Sequence, residues 1–185
     1  MASKILLILG VTGVGKSTII NNLLRLDSNF KYIQPYTNRP KRDFNDNEKV
    51  YVSDKQLNVL IDSGKILIVN DIYKYKYATP KQAVLECLAN NQFPVLDFPI
   101  QKLAEFKSLL PDSIYSVYIV PANLEELKRR LTKGRIDRLE YAIDELKLVE
   151  EGQLVGYDEK IINPFGRNQN RHISNFIYQS FINSM

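Results

Sequence analysis

The stretch Gly10-Val11-Thr12-Gly13-Val14-Gly15-Lys16-Ser17-Thr18 decides how this chain is read. It follows the apolar run Ile5 to Leu9 and precedes Ile19, Ile20, Leu23 and Leu24 at helical spacing. That is strand, glycine-rich turn and helix, with the pattern G-x-x-x-x-G-K-[ST] at the turn. Glycines let the backbone wrap a phosphate chain without Cβ clashes. The backbone N–H groups of Gly13, Val14, Gly15, Lys16, Ser17 and Thr18 then converge on the anion. Lys16 supplies a mobile positive charge for the terminal phosphates, and Ser17 offers a hydroxyl to Mg²⁺. A chance strand-to-helix turn would explain the glycines alone. It does not explain glycines, lysine, hydroxyl and correct flanks together, so the chain is expected to bind a nucleotide through this loop.

Composition bounds what surrounds the loop. A length of 185 residues fits one domain, and an apolar fraction of 44% is ordinary for a globular protein with a full core. The net charge of +4 suits an anionic ligand and does not by itself argue for nucleic acid. The one cysteine, Cys87, rules out an internal disulfide framework and fits a reducing compartment, so a cytoplasmic location is expected. Its neighbours Ala83, Val84 and Leu88 mark it as a core residue on a helix face. The one histidine, His172, leaves little scope for histidine catalysis or a zinc site. No apolar run approaches a membrane span, and Ile5 to Leu9 is too short for a signal peptide. Neither membrane nor nucleic-acid partners are expected.

Reading outward, helix one is expected from about Gly15 to Leu26, with a short apolar stretch at Tyr32 and Ile33. Pro35 to Glu48 is a proline- and charge-rich loop. Within it, Arg39 and Arg42 sit three apart around Pro40. Two readings stand: a solvated surface turn, or a pair of guanidinium forks that hold a phosphate monoester. Ser53-Asp54-Lys55-Gln56 has the capping-box form and opens a short helix stopped by Gly64. Ile66 to Val69 is a β-type run. Asp71 to Tyr77 alternates aromatic and lysine, which reads as a lysine-guarded edge strand or as a stacking ribbon for single-stranded nucleic acid. The edge strand is the favoured reading. Thr79 is expected to cap the next helix, with Pro80 at its first position.

Phe93 to Asp97 is an apolar strand ending in an acid. Downstream of a phosphate-binding loop, such an acid reads either as a carboxylate acting on Mg²⁺ through water or as a loop acid. Ile100 to Leu109 is expected to be helical and Tyr115 to Val120 a strand. Asn123 should cap a helix carrying Lys128, Arg129 and Arg130. The loop Thr132 to Arg135 leads to Arg138 and a helix with Leu139, Ala142, Ile143, Leu146 and Val149 on its apolar side. These cations are either a solvated face or lid charges for a transferring phosphoryl group. Lys160 to Asn163 reads as a last strand. Ile173, Phe176, Ile177 and Phe181 give a C-terminal amphipathic helix. The alternation of strands and helices predicts a parallel sheet covered on both faces.

In order along the chain, these segments resemble guanylate kinases. The P-loop is joined by Thr37-Asn38-Arg39-Pro40-Lys41-Arg42, Tyr51-Val52-Ser53, Tyr77-Ala78-Thr79-Pro80 and Leu96-Asp97. Leu124 to Leu131, Arg138-Leu139, and Tyr157-Asp158 through Asn163 complete the set. The resemblance implies a P-loop NTPase fold, a three-layer α/β/α parallel sheet. It implies a core of 1–33, 80–130 and 152–185, a nucleoside-monophosphate lobe of 34–79 and a short lid of 131–138. It further implies phosphoryl transfer from MgATP to an acceptor phosphate, GMP or dGMP by default, in a monomer or homodimer. Carried over by position, Arg39, Arg42 and Tyr77 would grip the acceptor phosphate, and Thr79 would contact its base. Lys16 would hold the ATP phosphates, Ser17 and Asp97 would position Mg²⁺, and Arg135 and Arg138 would act from the lid.

Several positions depart from that pattern. The base-reading glutamate of guanylate kinases falls at Ile68 by ungapped counting from Tyr77. A shift of three offers Asp71, with Asn70 beside it. Pro99 takes the place of a second acid, Pro35 of a serine, Lys49 of a tyrosine and Ala78 of a glycine, and the lid is short. The phosphate-handling half is thus retained while the base-reading half is rewritten. Three functions follow from these residues: a nucleoside monophosphate kinase, a kinase for another phosphorylated small molecule resembling ribose 1,5-bisphosphate phosphokinase, or an inactive binding module. The complete Lys16–Ser17 cradle speaks against the last.

Overall fold

The computed structural model describes residues 4–41, 44, 46–72, 74–131 and 138–185. In chain order the strands are β1 (Ile5–Gly10), β2 (Phe30–Tyr32), β3 (Tyr36–Thr37), β4 (Val50–Tyr51), β5 (Ile66–Ile72), β6 (Tyr75–Pro80), β7 (Phe93–Asp97), β8 (Ile114–Pro121) and β9 (Glu159–Asn163). The helices are α1 (Lys16–Leu26), α2 (Asp54–Asp62), α3 (Lys81–Ala89), α4 (Leu103–Leu109), α5 (Leu124–Leu131), α6 (Leu139–Glu150) and α7 (Arg167–Asn183), with a 3₁₀ turn at Ile100–Lys102 before α4.

β1 is the centre because every residue from Ile5 to Leu9 is apolar and fully buried. A strand apolar on both faces needs cover on both faces. Leu6 and Ile8 pack with Ile19 and Leu23 of α1, Leu127 of α5 and Ile177 and Phe181 of α7. Ile5, Leu7 and Leu9 pack the other way, with Val84 and Cys87 of α3, Leu103 and Phe106 of α4 and Val149 of α6. The central sheet runs β2-β7-β1-β8-β9, with every pairing parallel. The α/β/α layering expected from the sequence is therefore present. Burial pushes the Cys87 thiol up to about 11, as suits a core cysteine.

A second sheet, β4-β3-β6-β5, is built from the segment between β2 and α3. Ser53 caps α2 with a complete capping box to Gln56, and Asn123 Oδ1 accepts from the Glu125 N–H at 2.8 Å. Two sequence expectations change here. The alternating segment Asp71 to Tyr77 is not one strand: β5 ends at Ile72 and β6 starts at Tyr75 (Tyr73 lies outside the described residues). Period-two alternation persists through a tight reversal and so hides it. The lysine-bearing β6 lies between β3 and β5, and of the two halves of this segment it is β5 that lies at an edge of the sheet. Thr79 does not cap a helix either. β6 continues through Pro80, paired with Ile66, and the Lys81 N–H donates to the Lys65 carbonyl at 2.9 Å.

Two apolar stripes also shift. Phe176 is 54% exposed, because the buried face of α7 runs through Asn170, Ile173, Ser174, Ile177 and Phe181. Ile143 of α6 is exposed as well.

At the start of β9, the Asp158 carboxylate accepts from the Ser116 N–H at 2.7 Å, the Ser116 hydroxyl at 2.6 Å and Lys107 Nζ at 3.0 Å. Burial alone would raise its pKa, but these donors outweigh burial and hold the carboxyl below its ordinary range. A depressed folded pKa gives stability that is present above the unfolded value and is lost as pH falls through the folded one. Asp158→Asn is therefore expected to lower stability at neutral pH and to flatten its fall in acid. Solvent screens this partly exposed group, so the loss is about 1 kcal/mol. Urea denaturation at pH 7 and pH 3 measures both effects; parallel curves for the two proteins would exclude this role.

Candidate active site

The loop between β1 and α1 needs glycine at two positions for reasons visible in its surroundings. Gly10 has φ +132°, and a Cβ there would lie 2.4 Å from the Ile119 carbonyl oxygen. Gly15 has φ +107°, and a Cβ there would meet Asn163 Nδ2 at 2.9 Å. α1 then opens without a side-chain cap. The Thr18 N–H donates to the Gly15 carbonyl at 3.1 Å. The Lys16 and Ser17 N–H groups ahead of it precede the first intrahelical bonds, so the helix start is suited to an anion.

Asn163, fully buried at the end of β9, supports the loop from behind. Its Nδ2 donates to the Val14 carbonyl at 2.8 Å and to Asn170 Oδ1 at 3.0 Å. Its Oδ1 accepts from the Phe165 N–H at 2.9 Å. One side chain thus ties together the loop, the last core strand and the first turns of α7.

The parallel pairing of β1 with β7 sets Ile8 beside Asp97, so Asp97 leaves the sheet next to the loop. This is the carboxyl end of the strands, where open parallel sheets bind ligands. Lys16 Nζ donates to the Gly10 carbonyl at 2.5 Å and the Val11 carbonyl at 3.1 Å, and lies 3.6 Å from Asp97 Oδ1. Ser17 is half-buried and Thr18 exposed. Glycines that admit no Cβ, an uncapped helix start, a lysine and a strand-end carboxylate form a donor set that fits a magnesium–triphosphate group.

A cavity of about 890 Å³ connects this loop to the four-stranded sheet. Gly13, Gly15, Lys16, Ser17, Thr18 and Asp97 line one part; Arg39, Asn70, Asp71, Tyr77 and Thr79 line another. Val14 instead turns its side chain into the core. Arg39 is only 5% exposed. Its Nη2 donates to Asp46 Oδ2 at 2.7 Å and to the Tyr51 hydroxyl at 2.7 Å, and its Nη1 to the Pro40 carbonyl at 2.9 Å. Burial would lower its pKa, but Asp46 and the two tyrosines Tyr77 and Tyr51 outweigh this and hold it above the usual value. Arg39 Nε is buried without a hydrogen-bond partner among the described residues.

Lys49 lines the same cavity and donates to the Tyr32 hydroxyl at 2.9 Å. Burial first, then the carboxylates of Asp97 and Glu48, push the Tyr32 phenol far above its ordinary range and keep it neutral. On the remaining side stand Arg130, whose guanidinium lies 4.1 Å from the Phe165 ring centroid, and Arg138 at the start of α6. Arg42 and Arg135 lie outside the described residues.

The Guanylate kinase family profile matches residues 2–163. The chain belongs to the guanylate kinase family. It is a nucleotide kinase of the nucleoside monophosphate class. It is 30% identical to the guanylate kinase of Malacoplasma penetrans (strain HF-2) over 190 aligned residues, covering 97% of this chain and 94% of that one. It is 29% identical to that of Clostridioides difficile (strain 630), covering 86% and 79%. The crystal structure of guanylate kinase from Anaplasma phagocytophilum shares the fold, with a TM-score of 0.77 at 22% identity over 98% of this chain and 87% of that one. Shikimate kinase from Acinetobacter baumannii shares it more distantly, with a TM-score of 0.51 at 14% identity over 98% and 94% of the chains. Among the described residues no helix is long and apolar enough to cross a membrane.

Sequence reading did not find the bracing role of Asn163 and Asn170, or Asp46 as the partner of Arg39. A buried asparagine ending a strand is a weak signal, and an ion pair across a loop is none. Asn163→Ala leaves the Val14 carbonyl and Asn170 without their partner. Each buried group so stranded costs about 1–3 kcal/mol. Thermal or urea unfolding is expected to show a loss of about 2–4 kcal/mol; a loss within experimental error would mean that the loop does not depend on this brace.

Proposed function

We propose that this chain transfers the γ-phosphoryl group of MgATP to the phosphate of GMP or dGMP. One observation carries the reading: the Lys16–Asp97 pair beneath an uncapped helix start shares a cavity with the buried Arg39. A donor phosphate chain and an acceptor phosphate thus have cationic ends to bind on one continuous surface. The amides from Gly13 to Thr18 and Lys16 would hold the donor. Ser17, and Asp97 through water, would hold magnesium, which when bound supplies charge neutralisation between the phosphates.

On the acceptor side, Arg39 and Tyr77 orient the phosphate, joined by Arg42, with Thr79 toward the base and Asp71 at the rim. The unpartnered Arg39 Nε supports this role, because a buried guanidinium N–H without an acceptor is costly until a ligand supplies one. Arg138, with Arg135, brings positive charge from the lid of 131–138, and the segment 34–79 acts as the acceptor lobe. No general base is required: the acceptor is already ionised, so catalysis is positioning and charge neutralisation.

A second reading keeps the chemistry and changes the acceptor to another phosphorylated small molecule of the ribose 1,5-bisphosphate type. Ile68 favours it, because an apolar core residue stands where guanylate kinases carry their base-reading acid.

Two variants test the assignment. Lys16→Ala is expected to lower kcat for GDP formation by at least about 100-fold with an unchanged unfolding midpoint. Normal turnover in that variant would remove the loop from the chemistry. Arg39→Ala is expected to raise the KM for GMP by about tenfold or more, with the KM for ATP little changed. An unchanged acceptor profile would make Arg39 purely structural.

A further inference from the structure

The acceptor base needs a reader, and the family position for one does not line the cavity. Ile68 is 4% exposed and packs in the core with Val84, Leu96 and Phe98. The antiparallel register of β5 and β6 decides what stands in its place. Asn70 pairs with Tyr77, Ile68 with Thr79, and Asp71 with Lys76. Directly paired residues point to one face and successive residues to opposite faces. Asn70 therefore shares the face of Ile68, Tyr77 and Thr79, while Asp71 pairs with Lys76 on the other face and borders the cavity as an exposed residue. Burial agrees: Asn70 is 4% exposed, Thr79 is 3% exposed, and Asp71 is exposed.

Asn70 Oδ1 is buried and has no hydrogen-bond partner among the described residues, although the side chain lines the cavity. A buried carboxamide left unpaired is costly, and such groups in folded proteins call for a ligand or a bound water. Folding alone gives this side chain no reason to be polar.

We propose that Asn70 is the base-reading residue, and that it makes the chain a kinase of 6-oxopurine monophosphates, taking IMP as well as GMP. The inference rests on the reading of the chain as a GMP kinase. Its chemistry follows from the donor–acceptor inventory. A carboxylate only accepts, so on the guanine edge it takes N1–H and the 2-amino N–H and loses one bond when the 2-amino group is missing. A carboxamide accepts with oxygen and donates with nitrogen. It pairs with N1–H and O6, which guanine and hypoxanthine share, and leaves the 2-amino group unread. Sites discriminate between substrates through the polar groups they bury, so an unread amino group confers little discrimination.

The test compares GMP, IMP and AMP as acceptors with MgATP, in the native chain and in Asn70→Leu and Asn70→Asp. The native chain is expected to use IMP with a kcat/KM within about tenfold of GMP, and AMP at least about 100-fold less well. Asn70→Leu should raise the KM for both GMP and IMP by about tenfold or more, leave the KM for ATP unchanged, and keep or raise the melting temperature. A purely structural asparagine would lower the melting temperature instead. Asn70→Asp should raise the GMP-to-IMP preference by about tenfold, because the 2-amino group is then read. GMP turnover that is indifferent to Asn70→Leu overturns the inference alone, as does AMP used as well as GMP. Failure of the native chain to use any purine monophosphate overturns the GMP-kinase reading and this inference with it.

Discussion

The Lys16 and Ser17 N–H groups that open α1 precede its first intrahelical bond, that of Thr18 to Gly15, and the architecture depends on keeping them open toward one cavity. This requires a strand that ends beneath the helix start, glycines that admit the necessary backbone, and a brace that keeps the loop from closing on itself. β1 supplies the strand, buried on both faces. Gly10 and Gly15 supply the backbone, each at positive φ with no room for a Cβ. Asn163 supplies the brace from the far end of the chain. The order β2-β7-β1-β8-β9 then delivers the ends of β7, β1 and β9 to one edge of the sheet.

Charge at the site is arranged in pairs. Lys16 faces Asp97, and Arg39 faces Asp46. The second pair is almost fully enclosed, and a buried ion pair is weak support for stability, since desolvation offsets most of the Coulomb gain. Its effect here is positional: Asp46 and the Tyr51 hydroxyl fix the guanidinium by Nη2, while Nε has no partner among the described residues. Both cations are thus held in place on the cavity wall by partners within the protein.

The parts of this site that sequence made legible are those whose signals are local. Strand, loop and α1 follow from periodicity and motif within a few tens of residues. Asp97 follows from being the acid that ends an apolar strand, and the capping box at Ser53 announced α2. The misread parts depend on pairing. The reversal after Ile72 leaves the alternation of residues intact, so one strand was expected where a hairpin stands. Asn70 and Asp71 both line the cavity, and it is the register of β5 that buries the amide and exposes the acid. Phe176 was placed on the core face because it is apolar, whereas the core face of α7 passes through the polar Asn170 and Ser174, which are held by their hydrogen bonds.

The most direct test of the central claim, that the phosphate machinery serves a purine monophosphate, is a one-pot competition. The native chain, MgATP, GMP and ribose 1,5-bisphosphate are mixed at equal acceptor concentrations, and products are resolved by phosphorus NMR. GDP as the dominant early product, with ADP formed in equal amount, is the predicted result. Exclusive consumption of ribose 1,5-bisphosphate with GMP untouched would contradict it.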